Sequence, residues 1–356
     1  MGDYNEEMKK DIKNLTRKEL IGFFAALNES GYRADLVFKA IYRDKIEKFS
    51  DITTLSKALR ERLDKIFYIN SFKEIARDTS EDEATKFVFS LTDGRLIESV
   101  AIKNRNKSGK VWYTACLSTQ VGCALGCLFC ATGRMGFIRN LEAGEIVEQL
   151  LQIEHTFPIS NIVLMGMGEP FLNYENMKKA IKIITDAKGR ALGKRKITIS
   201  TAGIIPFIYK LTEEMPSVGL AISLHSAIQS KRDALMPGVK NEPLSKLKEA
   251  LVQYTEKTGN TVTLEYLLMD GINDTTKDAK ALINFTKGIK FLKVNLIRYN
   301  RIPGVHFEPS KREIQFQKEL LNAHIRATVR VSKGTGISAA CGQLATEESN
   351  AIKGKS

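Results

Sequence analysis

The feature that most constrains the fold is an alternation of β-rich runs and amphipathic helical segments from residue 111 onward. The β-rich runs are VWYTACLS, NIVLMGM, KITIST, SVGLAISL, TVTLEYLL, FLKVNLIR and ATVRVS. The segments between them place apolar residues at helical spacing, as Met177, Ala180, Ile181 and Ile184 do. This alternation predicts a parallel sheet covered by helices. Right-handed crossovers would close the sheet fully or partly into a barrel, and an open doubly wound sheet is the alternative.

Two other patterns precede this repeat. Before residue 80 the patterns are helical, since Thr16 and Glu19 have capping-box spacing and leucines recur at helical intervals in LSKALRERL. From residue 86 the apolar period is two, and FVFSL and RLIESVAI flank Asp93 and Gly94, which favour a tight hairpin turn. The polar stretch KNRNKSGK follows. The predicted segments are a helical accessory domain over 1–80, a β-hairpin and basic linker over 81–110, a barrel over 111–345 and a C-terminal tail over 346–356.

The charge balance points to a polyanionic partner. Lys and Arg outnumber Asp and Glu by 54 to 41, a net charge of +13. Nucleic acid is the leading candidate, although a basic chain is also compatible with a role in solubility alone. The densest basic run, between Lys188 and Lys196, is a candidate phosphate contact. The N-terminal residues lack a signal-peptide pattern and no apolar run approaches membrane-spanning length, so we expect a cytoplasmic protein without membrane contact.

The most specific chemical signal is the spacing of Cys123, Cys127 and Cys130, just after the first strand of the repeat. Thiolates are the standard ligands of iron-sulfur clusters, and a 4Fe-4S cluster normally takes four. Because this loop supplies three, one iron stays open for an exogenous ligand, as in catalytic metal sites. The amino and carboxylate groups of S-adenosylmethionine fit that position. CxxxCxxC is the pattern of the radical S-adenosylmethionine superfamily, which this chain resembles, and the resemblance implies one-electron cleavage of this cofactor. A zinc site with a fourth ligand and plain buried cysteines are the alternatives.

Further candidate residues end or follow the predicted strands, where a βα barrel carries its active site. They are Gly168, Glu169, Ser200, Ser223, Leu224, His225 and Asn300. Each one alone is equally compatible with a turn or with a satisfied strand end. Their shared placement predicts a single binding mouth.

The two remaining cysteines are expected at the same mouth. Cys116 ends the first strand of the repeat, and Cys341 lies just after the last strand, within SAACGQLA. Two thiols that do not bind a cluster suggest covalent or disulfide-exchange chemistry. For isolated cysteines, a role as small buried hydrophobic residues is the alternative.

The whole chain resembles the RlmN/Cfr family of radical S-adenosylmethionine RNA methyltransferases. The matching stretches, in order, are QVGCALGCLFCATG, GFIRNL, LMGMGEP, ISTAGIIP, LAISLHSA, VNLIRYN and AACGQLA, and all five cysteines agree. The resemblance implies an α/β fold, a partial (β/α)6-type barrel with a small N-terminal helical domain and a β-hairpin. It implies as substrate an adenosine of the peptidyl-transferase centre in 23S rRNA and, in some members, the tRNA adenosine beside the anticodon.

The resemblance also implies a ping-pong route, because an adenine ring carbon is not nucleophilic. One S-adenosylmethionine methylates Cys341, and reductive cleavage of a second one generates a radical that takes a hydrogen from the S-methyl group. The resulting carbon radical adds to carbon 2 of adenine and links the RNA to Cys341. Glu98 matches the family's proposed proton acceptor. Cys116 then attacks Cys341 and releases the methylated RNA, which leaves a disulfide for a cellular thiol reductant.

The resemblance extends to the remaining contacts and leaves some points open. The seven residues of the predicted mouth match those that hold S-adenosylmethionine, and an electron donor such as flavodoxin is implied. We expect a monomer, since no heptad or exposed apolar stripe is evident. Relatives commonly carry aspartates at Gly336 and Ser338 and an asparagine at Val239, which leaves the substrate open. Cfr-like methylation at carbon 8 of the same adenosine and a non-catalytic iron-sulfur protein in RNA binding or ribosome assembly are the alternatives.

Overall fold

The computed structural model describes residues 9–106, 108–330 and 332–345, so the predicted tail over 346–356 lies outside the described residues. The N-terminal elements are β1 (Lys10–Asp11), α1 (Arg17–Ala26), α2 (Gly31–Tyr42), α3 (Lys57–Ile66) and β2 (Phe67–Tyr68). The predicted capping box is present at the start of α1, where the Glu19 carboxylate accepts a hydrogen bond from the Thr16 amide at 2.7 Å. β1 and β2 pair in parallel and bring the two ends of this helical unit together. No helix of the described residues combines the length and apolar character needed to cross a bilayer.

Four antiparallel strands follow: β3 (Lys73–Thr79), β4 (Ala84–Ser90), β5 (Leu96–Arg105) and β6 (Val111–Cys116). β4 and β5 pair from Ser90 and Leu96 outward, around the turn that contains Asp93 and Gly94. β5 continues through Arg105 and pairs with β6. The first part of the stretch expected to be a linker is therefore strand, and further along it the amide of Gly109 donates to the carbonyl of Asn106 at 3.0 Å.

The remaining elements alternate as the sequence predicts. They are β7 (Gln120–Gly122), α4 (Ala131–Met135), β8 (Phe137–Asn140), α5 (Ala143–Ile153), β9 (Ile159–Leu164), α6 (Tyr174–Thr185), β10 (Ile197–Thr201), α7 (Ile205–Glu214), β11 (Gly219–Ser223), α8 (Gln229–Leu235), α9 (Leu244–Thr258), β12 (Val262–Leu268), α10 (Thr276–Thr286), β13 (Leu292–Arg298), α11 (Glu313–Asn322) and β14 (Ala327–Arg330). β7 and β8 form a small antiparallel ribbon of their own.

One ten-stranded sheet has the order β14-β13-β12-β11-β10-β9-β6-β5-β4-β3. From β6 to β14 the neighbouring strands are parallel and follow one another in chain order. This order has no reversal, so the sheet is singly wound and the doubly wound alternative is wrong. β14 and β3 form its two edges, and the sheet therefore stays open. The predicted α/β fold, a partial barrel with an N-terminal helical unit and a β-hairpin, is confirmed.

A buried ion pair attaches the N-terminal unit to the barrel. Lys13 pairs with Glu148 of α5, and both side chains are almost fully buried. The Lys13 ammonium also donates a hydrogen bond of 2.5 Å to the carbonyl of Asn70, while the other Glu148 oxygen accepts one from the Phe72 amide at 3.3 Å. Because removing one member would leave a buried charge uncompensated, this contact strongly specifies where the helical unit docks.

Candidate active site

The carboxyl ends of the parallel strands surround a cavity of about 160 Å³, here called the first cavity. Most of the predicted site residues line it. They are Cys123, Cys127, Cys130, Gly168, Glu169, Ser200, Ser223, His225 and Cys341. The strands of a parallel barrel all end at one face, which is why residues far apart in the sequence converge here.

The loop that carries the three cysteines is held closely against its surroundings. Gly122 has φ +74°, and a Cβ atom at this position would lie 1.9 Å from the carbonyl oxygen of Gly136. The amide of Leu128 donates to the carbonyl of Leu235 at 3.0 Å, and the amide of Gly238 donates to the carbonyl of Leu125 at 2.9 Å. Backbone contacts, rather than exposed side chains, therefore determine the path of this loop.

The three thiols share a dry environment that suits a positively charged group. Burial raises the pKa of Cys123 to about 12 and that of Cys127 well above its ordinary value, and the charges of the neighbouring cysteines and of Glu169 add to both shifts. Burial likewise raises the pKa of Cys130. Thiolates gathered here need iron to offset their charge, so this set fits an iron-sulfur cluster. Within the described residues, no three His, Cys, Asp or Glu side chains have the geometry to hold one metal ion.

Glu169 is buried with its carboxylate held by backbone donors. One oxygen accepts from the Phe171 amide at 3.0 Å, and the other accepts from the Ala202 amide at 2.8 Å. Burial raises its pKa, against the opposing effect of these hydrogen bonds and one from Thr201. The preceding Gly168 has φ +99°, and a Cβ atom there would lie 2.5 Å from the Cβ of Gln120. The glycine therefore lets the strand end approach Gln120 and deliver Glu169 into the cavity.

His225 lies on the opposite wall as a neutral ring. Its Nδ1 accepts a hydrogen bond from the Leu267 amide at 3.1 Å, so Nε2 carries the proton. Burial and the nearby Arg232 charge lower its pKa to about 3. Phe129, from the cysteine loop, meets the imidazole edge to face at 4.8 Å. A neutral donor and two ring surfaces are suited to a flat heteroaromatic group.

A second cavity of about 260 Å³ adjoins the first. Cys116 lines it, together with Asn104 and Lys333. Six residues line both cavities: Cys130, Met165, Gly166, Arg330, Cys341 and Gly342. Cys341 therefore lies where a group bound in one cavity meets a group bound in the other.

The segment around Cys341 is anchored at several points. The carbonyl of Gly342 accepts from the Ala131 amide at 2.7 Å, and that of Leu344 accepts from the Thr132 hydroxyl at 2.5 Å. Asn300 donates to the carbonyl of Cys341 at 3.1 Å. All five cysteines are free thiols. Burial raises the pKa of Cys116 to about 12, and the charge of Cys341 adds to this shift.

Three predicted site residues lie outside the linings of both cavities. Leu224 is fully buried, and its amide donates to the carbonyl of Glu265 at 3.0 Å. Asn300 contacts the Cys341 backbone instead. Glu98 is buried on the same face of β5 as Val100, which is paired with Cys116, and its carboxylate lies 3.4 Å from the ammonium of Lys86.

Two charged residues that the sequence reasoning did not single out also line the first cavity, Glu265 and Arg330. Burial raises the pKa of Glu265, against the opposing charges of Arg330 and Lys293 and a hydrogen bond from Asn295. The available signal was a charged residue within an otherwise apolar strand, as in TVTLEYLL and ATVRVS. The basic run ending at Lys196 directly precedes β10 and so lies at the opposite end of the barrel from the mouth.

Comparisons with known proteins agree with this geometry. The Radical SAM superfamily model matches residues 117–283, and the model of the Ribosomal RNA large subunit methyltransferase N-terminal domain matches residues 10–69. Two relatives carry the name "Probable dual-specificity RNA methyltransferase RlmN". The one from Caldanaerobacter subterraneus is 44% identical over 94% of this chain and 97% of its own length. The one from Flavobacterium johnsoniae is 41% identical over 96% of this chain and 98% of its own length. The crystal structure of a radical SAM methyltransferase from Sphaerobacter thermophilus is similar with a TM-score of 0.87 and 38% identity, over 94% of this chain and 99% of that one.

Proposed function

Because this chain belongs to the RlmN family of radical S-adenosylmethionine RNA methyltransferases, we propose that it methylates carbon 2 of an adenosine in the peptidyl-transferase centre of 23S rRNA. The words "dual-specificity RNA methyltransferase" in the names of its relatives support tRNA as a second substrate. The observation that carries the proposal is the place of Cys341, in the wall common to the first and second cavities. A carrier of a one-carbon group between cofactor and RNA needs that position.

In this proposal Cys123, Cys127 and Cys130 hold a 4Fe-4S cluster, and S-adenosylmethionine occupies the first cavity. When bound, the cluster and this cofactor supply a methyl group and one-electron bond cleavage. Gly168 and Glu169 border the end near the cysteines, and Ser200, Ser223 and His225 line the cavity and fix the rest of the cofactor by hydrogen bonds. Leu224 contributes through its backbone, and Asn300 acts indirectly by holding the carbonyl of Cys341.

Cys341 and Cys116 have different covalent roles, as the carrier of the one-carbon group and as the thiol that releases it. The Cys341 sulfur first accepts a methyl group and later carries the adenine through a sulfur–methylene link. Cys116 then attacks the Cys341 sulfur, so that an S–S bond forms and the S–CH₂ bond breaks. The electron pair of the broken bond, together with a proton from solvent, completes the methyl group on the RNA. A cellular thiol reductant reopens the disulfide and readies the enzyme for another cycle.

Glu98 is proposed to take the ring proton of adenine, and the cluster would supply the acceptor for the one electron that radical addition leaves on the ring. It lies on the face of β5 that carries Val100 and Ile102, and both of these residues line the second cavity. Lys86 lies 3.4 Å from its carboxylate in a buried setting.

The remaining roles concern partners and segments. We assign residues 1–80 to RNA binding as an accessory domain, residues 81–110 to the β-hairpin that extends the barrel sheet, residues 111–345 to catalysis and residues 346–356 to a tail. The net charge of +13 supports RNA as the partner. A flavodoxin-type protein would donate the electron, and the enzyme would act as a cytoplasmic monomer.

Labelling the methyl carrier tests the proposal. After anaerobic reconstitution of the cluster, the protein is incubated with S-adenosylmethionine carrying a deuterated methyl group, and peptide mass spectrometry follows the SAACGQLA peptide. We expect label on Cys341 in the wild type and none in Cys341→Ala. Turnover of the cofactor with an unmodified Cys341 would overturn the methyl-cysteine route.

Analysis of digested rRNA and tRNA then identifies the product. Chromatography with authentic standards separates 2-methyladenosine from 8-methyladenosine. The proposal predicts the 2-methyl product in 23S rRNA. An 8-methyl product would instead establish Cfr-like chemistry, and cofactor cleavage without any RNA product would argue for a different substrate.

A further inference from the structure

A buried carboxylate in the wall of the first cavity, that of Glu265, takes no part in the function proposed above. Glu265 lies on β12, is 5% exposed and lines the cavity together with Ser223. Strand register places it at one level of the barrel with Ser223 of β11, Asn295 of β13 and Thr328 of β14. It is therefore part of a polar row that crosses four neighbouring strands.

Hydrogen bonds within this row determine the orientation of the carboxylate. The Thr328 hydroxyl donates to the Asn295 side-chain oxygen at 2.9 Å, and the Asn295 amide nitrogen donates to Glu265 Oε1 at 3.0 Å. Glu265 Oε2 is buried and accepts no hydrogen bond from any residue that the structure describes. One oxygen is thus held in place while the other is left ready for a donor.

A buried carboxylate oxygen that accepts no hydrogen bond is unfavourable, and the neighbouring charges offset this cost only in part. Arg330 lies one level nearer the mouth and Lys293 one level deeper, and their charges oppose the effect of burial on Glu265. Neither cation donates a hydrogen bond to Oε2 within the described residues. A ligand that brings its own donor would therefore gain more here than at a site already satisfied.

S-adenosylmethionine offers two kinds of donor, the α-ammonium group and the two ribose hydroxyls. Its amino and carboxylate groups belong on the open iron, beside the cysteine loop. Glu169 lies at that end, since its charge acts on Cys123 and Cys127. Glu265 instead lies on β12, three strands away from β9, the strand that precedes Glu169, and its carboxylate is held by Asn295 of β13. The donor within reach of Glu265 is accordingly the ribose.

We propose that Glu265 Oε2 accepts a hydrogen bond from a ribose hydroxyl of S-adenosylmethionine and thereby selects for an intact ribonucleoside cofactor. This inference rests on the proposed function, in which that cofactor occupies the first cavity. Asn295 and Thr328 serve as positioning residues that hold the carboxylate in the required orientation.

Binding of cofactor analogues to the anaerobically reconstituted holoenzyme tests this assignment by equilibrium dialysis. The probes are S-adenosylmethionine and analogues with the 2′- or 3′-hydroxyl replaced by hydrogen or by fluorine. The wild type should bind at least one deoxy analogue ~10- to 100-fold more weakly than S-adenosylmethionine, as expected for loss of a hydrogen bond to a charged acceptor. It should also reject the matching fluoro analogue, because fluorine cannot donate to a carboxylate.

The isosteric variant Glu265→Gln distinguishes a ribose contact from a structural role. With its oxygen held by Asn295, the glutamine presents its amide nitrogen where Oε2 was, and this nitrogen donates instead of accepting. The variant should lose most of the preference for the hydroxyl and should bind the matching fluoro analogue more tightly than the wild type does. General damage to the cavity would weaken all analogues alike and would overturn the proposal, as would unchanged selectivity.

Two further variants complete the experiment. Glu213→Gln makes the same chemical change on the exposed face of α7 and should leave every affinity unchanged. If Glu265→Gln does not fold, Glu265→Asp serves instead, since it keeps the charge but withdraws the carboxylate by one methylene group; retained hydroxyl selectivity would then overturn the proposal. RNA methylation is not measured, so ribose selection through Glu265 would stand even if the RNA substrate proved to be different.

Discussion

The side-chain amide of Asn300 donates a hydrogen bond of 3.1 Å to the backbone carbonyl of Cys341. The same amide nitrogen lies 3.3 Å from the hydroxyl of Ser332, so Asn300 holds the segment that follows β14 at two points. The loop after β13 thus controls the position of a thiol that comes 41 residues later. A residue predicted to hold the cofactor therefore contacts the proposed methyl carrier.

Replacing Asn300 should affect transfer more than cofactor binding. Asn300→Ala removes both contacts and leaves the Cys341 segment less well positioned, so we expect RNA methylation to fall by roughly tenfold, the equivalent of about 1.4 kcal/mol. The affinity for S-adenosylmethionine should change little. Single-turnover methylation and equilibrium dialysis measure the two quantities. Asn322→Ala, at an exposed helix end, is the control, and an equal loss in both measurements would contradict this role.

A methyl group at Gly168 should disturb the cavity through a steric clash. Gly168→Ala introduces a Cβ atom 2.5 Å from the Cβ of Gln120, in addition to the strain of a positive φ. Gly288→Ala is a matched control, since Gly288 has a similar φ of +88° but open space around the new atom. We expect Gly288→Ala to cost about 1 kcal/mol of unfolding free energy, and Gly168→Ala to cost more and to weaken cofactor binding. If the two variants have equal effects on unfolding free energy and on cofactor affinity, measured by denaturant titration and dialysis, then Gln120 moves aside and the clash is relieved.

The site was predictable from the sequence where strand geometry alone determines it. The cysteine loop and Glu169 follow predicted strands, Ser200 and Ser223 end them, and parallel strands end at one face. Asn300 also follows a strand, but the path of its loop decides what it contacts, and no pattern in the sequence encodes that path. Glu265 lies inside a strand that is buried on both faces, so its orientation depends on register with β11 and β13.

Contacts between distant segments were beyond sequence reasoning for a related reason. Lys13 and Glu148 are 135 residues apart, and each alone is an ordinary charged residue on a surface pattern. Likewise, the polar stretch after β5 was expected to be a linker, whereas pairing with β6 makes Lys103 and Arg105 part of a strand. Strand pairing of polar residues depends on the neighbour across the sheet, and local propensity does not reveal it.

Deprotonation of Asp11 should make stability fall as pH rises through mildly acidic values. Burial raises the pKa of Asp11 from 3.8 to about 6 in the folded state, so the folded protein binds its proton more tightly than the unfolded chain does. Stability therefore decreases between about pH 4 and pH 6, and the full cost persists above pH 6. Asp11→Asn should raise stability at pH 7.5 by roughly 2–3 kcal/mol relative to the wild type, with no gain below pH 4.

Denaturant titrations of both proteins across this pH range provide the measurement. The difference between the two curves isolates Asp11 from the other titrating groups. Asp64→Asn, on the exposed face of α3, is the control and should show no such step. A difference independent of pH would mean that the Asp11 carboxylate titrates normally in the folded protein.

The buried pair of Lys13 and Glu148 should behave non-additively. Glu148→Leu leaves the Lys13 charge unpaired in a dry interface, and Lys13→Met does the same to Glu148, so each single variant should lose about 3–5 kcal/mol of unfolding free energy. The double variant removes both charges and should lose considerably less than the sum. Chemical denaturation measures all four free energies. Simple additivity would contradict a direct coupling between the N-terminal unit and α5.

Removal of the Cys116 thiol should trap the RNA on the enzyme. Cys116 and Cys341 both line the second cavity, and in the proposed route Cys116 supplies the sulfur that displaces the RNA-bound methylene group. Cys116→Ala leaves methylation of Cys341 and addition to adenine intact but removes the attacking group, so a covalent RNA–protein adduct should accumulate to about one equivalent. Denaturing electrophoresis detects the adduct, and peptide mass spectrometry should place it on Cys341.

The double variant Cys116→Ala, Cys341→Ala should form no adduct, because it lacks the carrier. Free methylated RNA released in several turnovers by Cys116→Ala would show that another group resolves the link and would remove Cys116 from the mechanism.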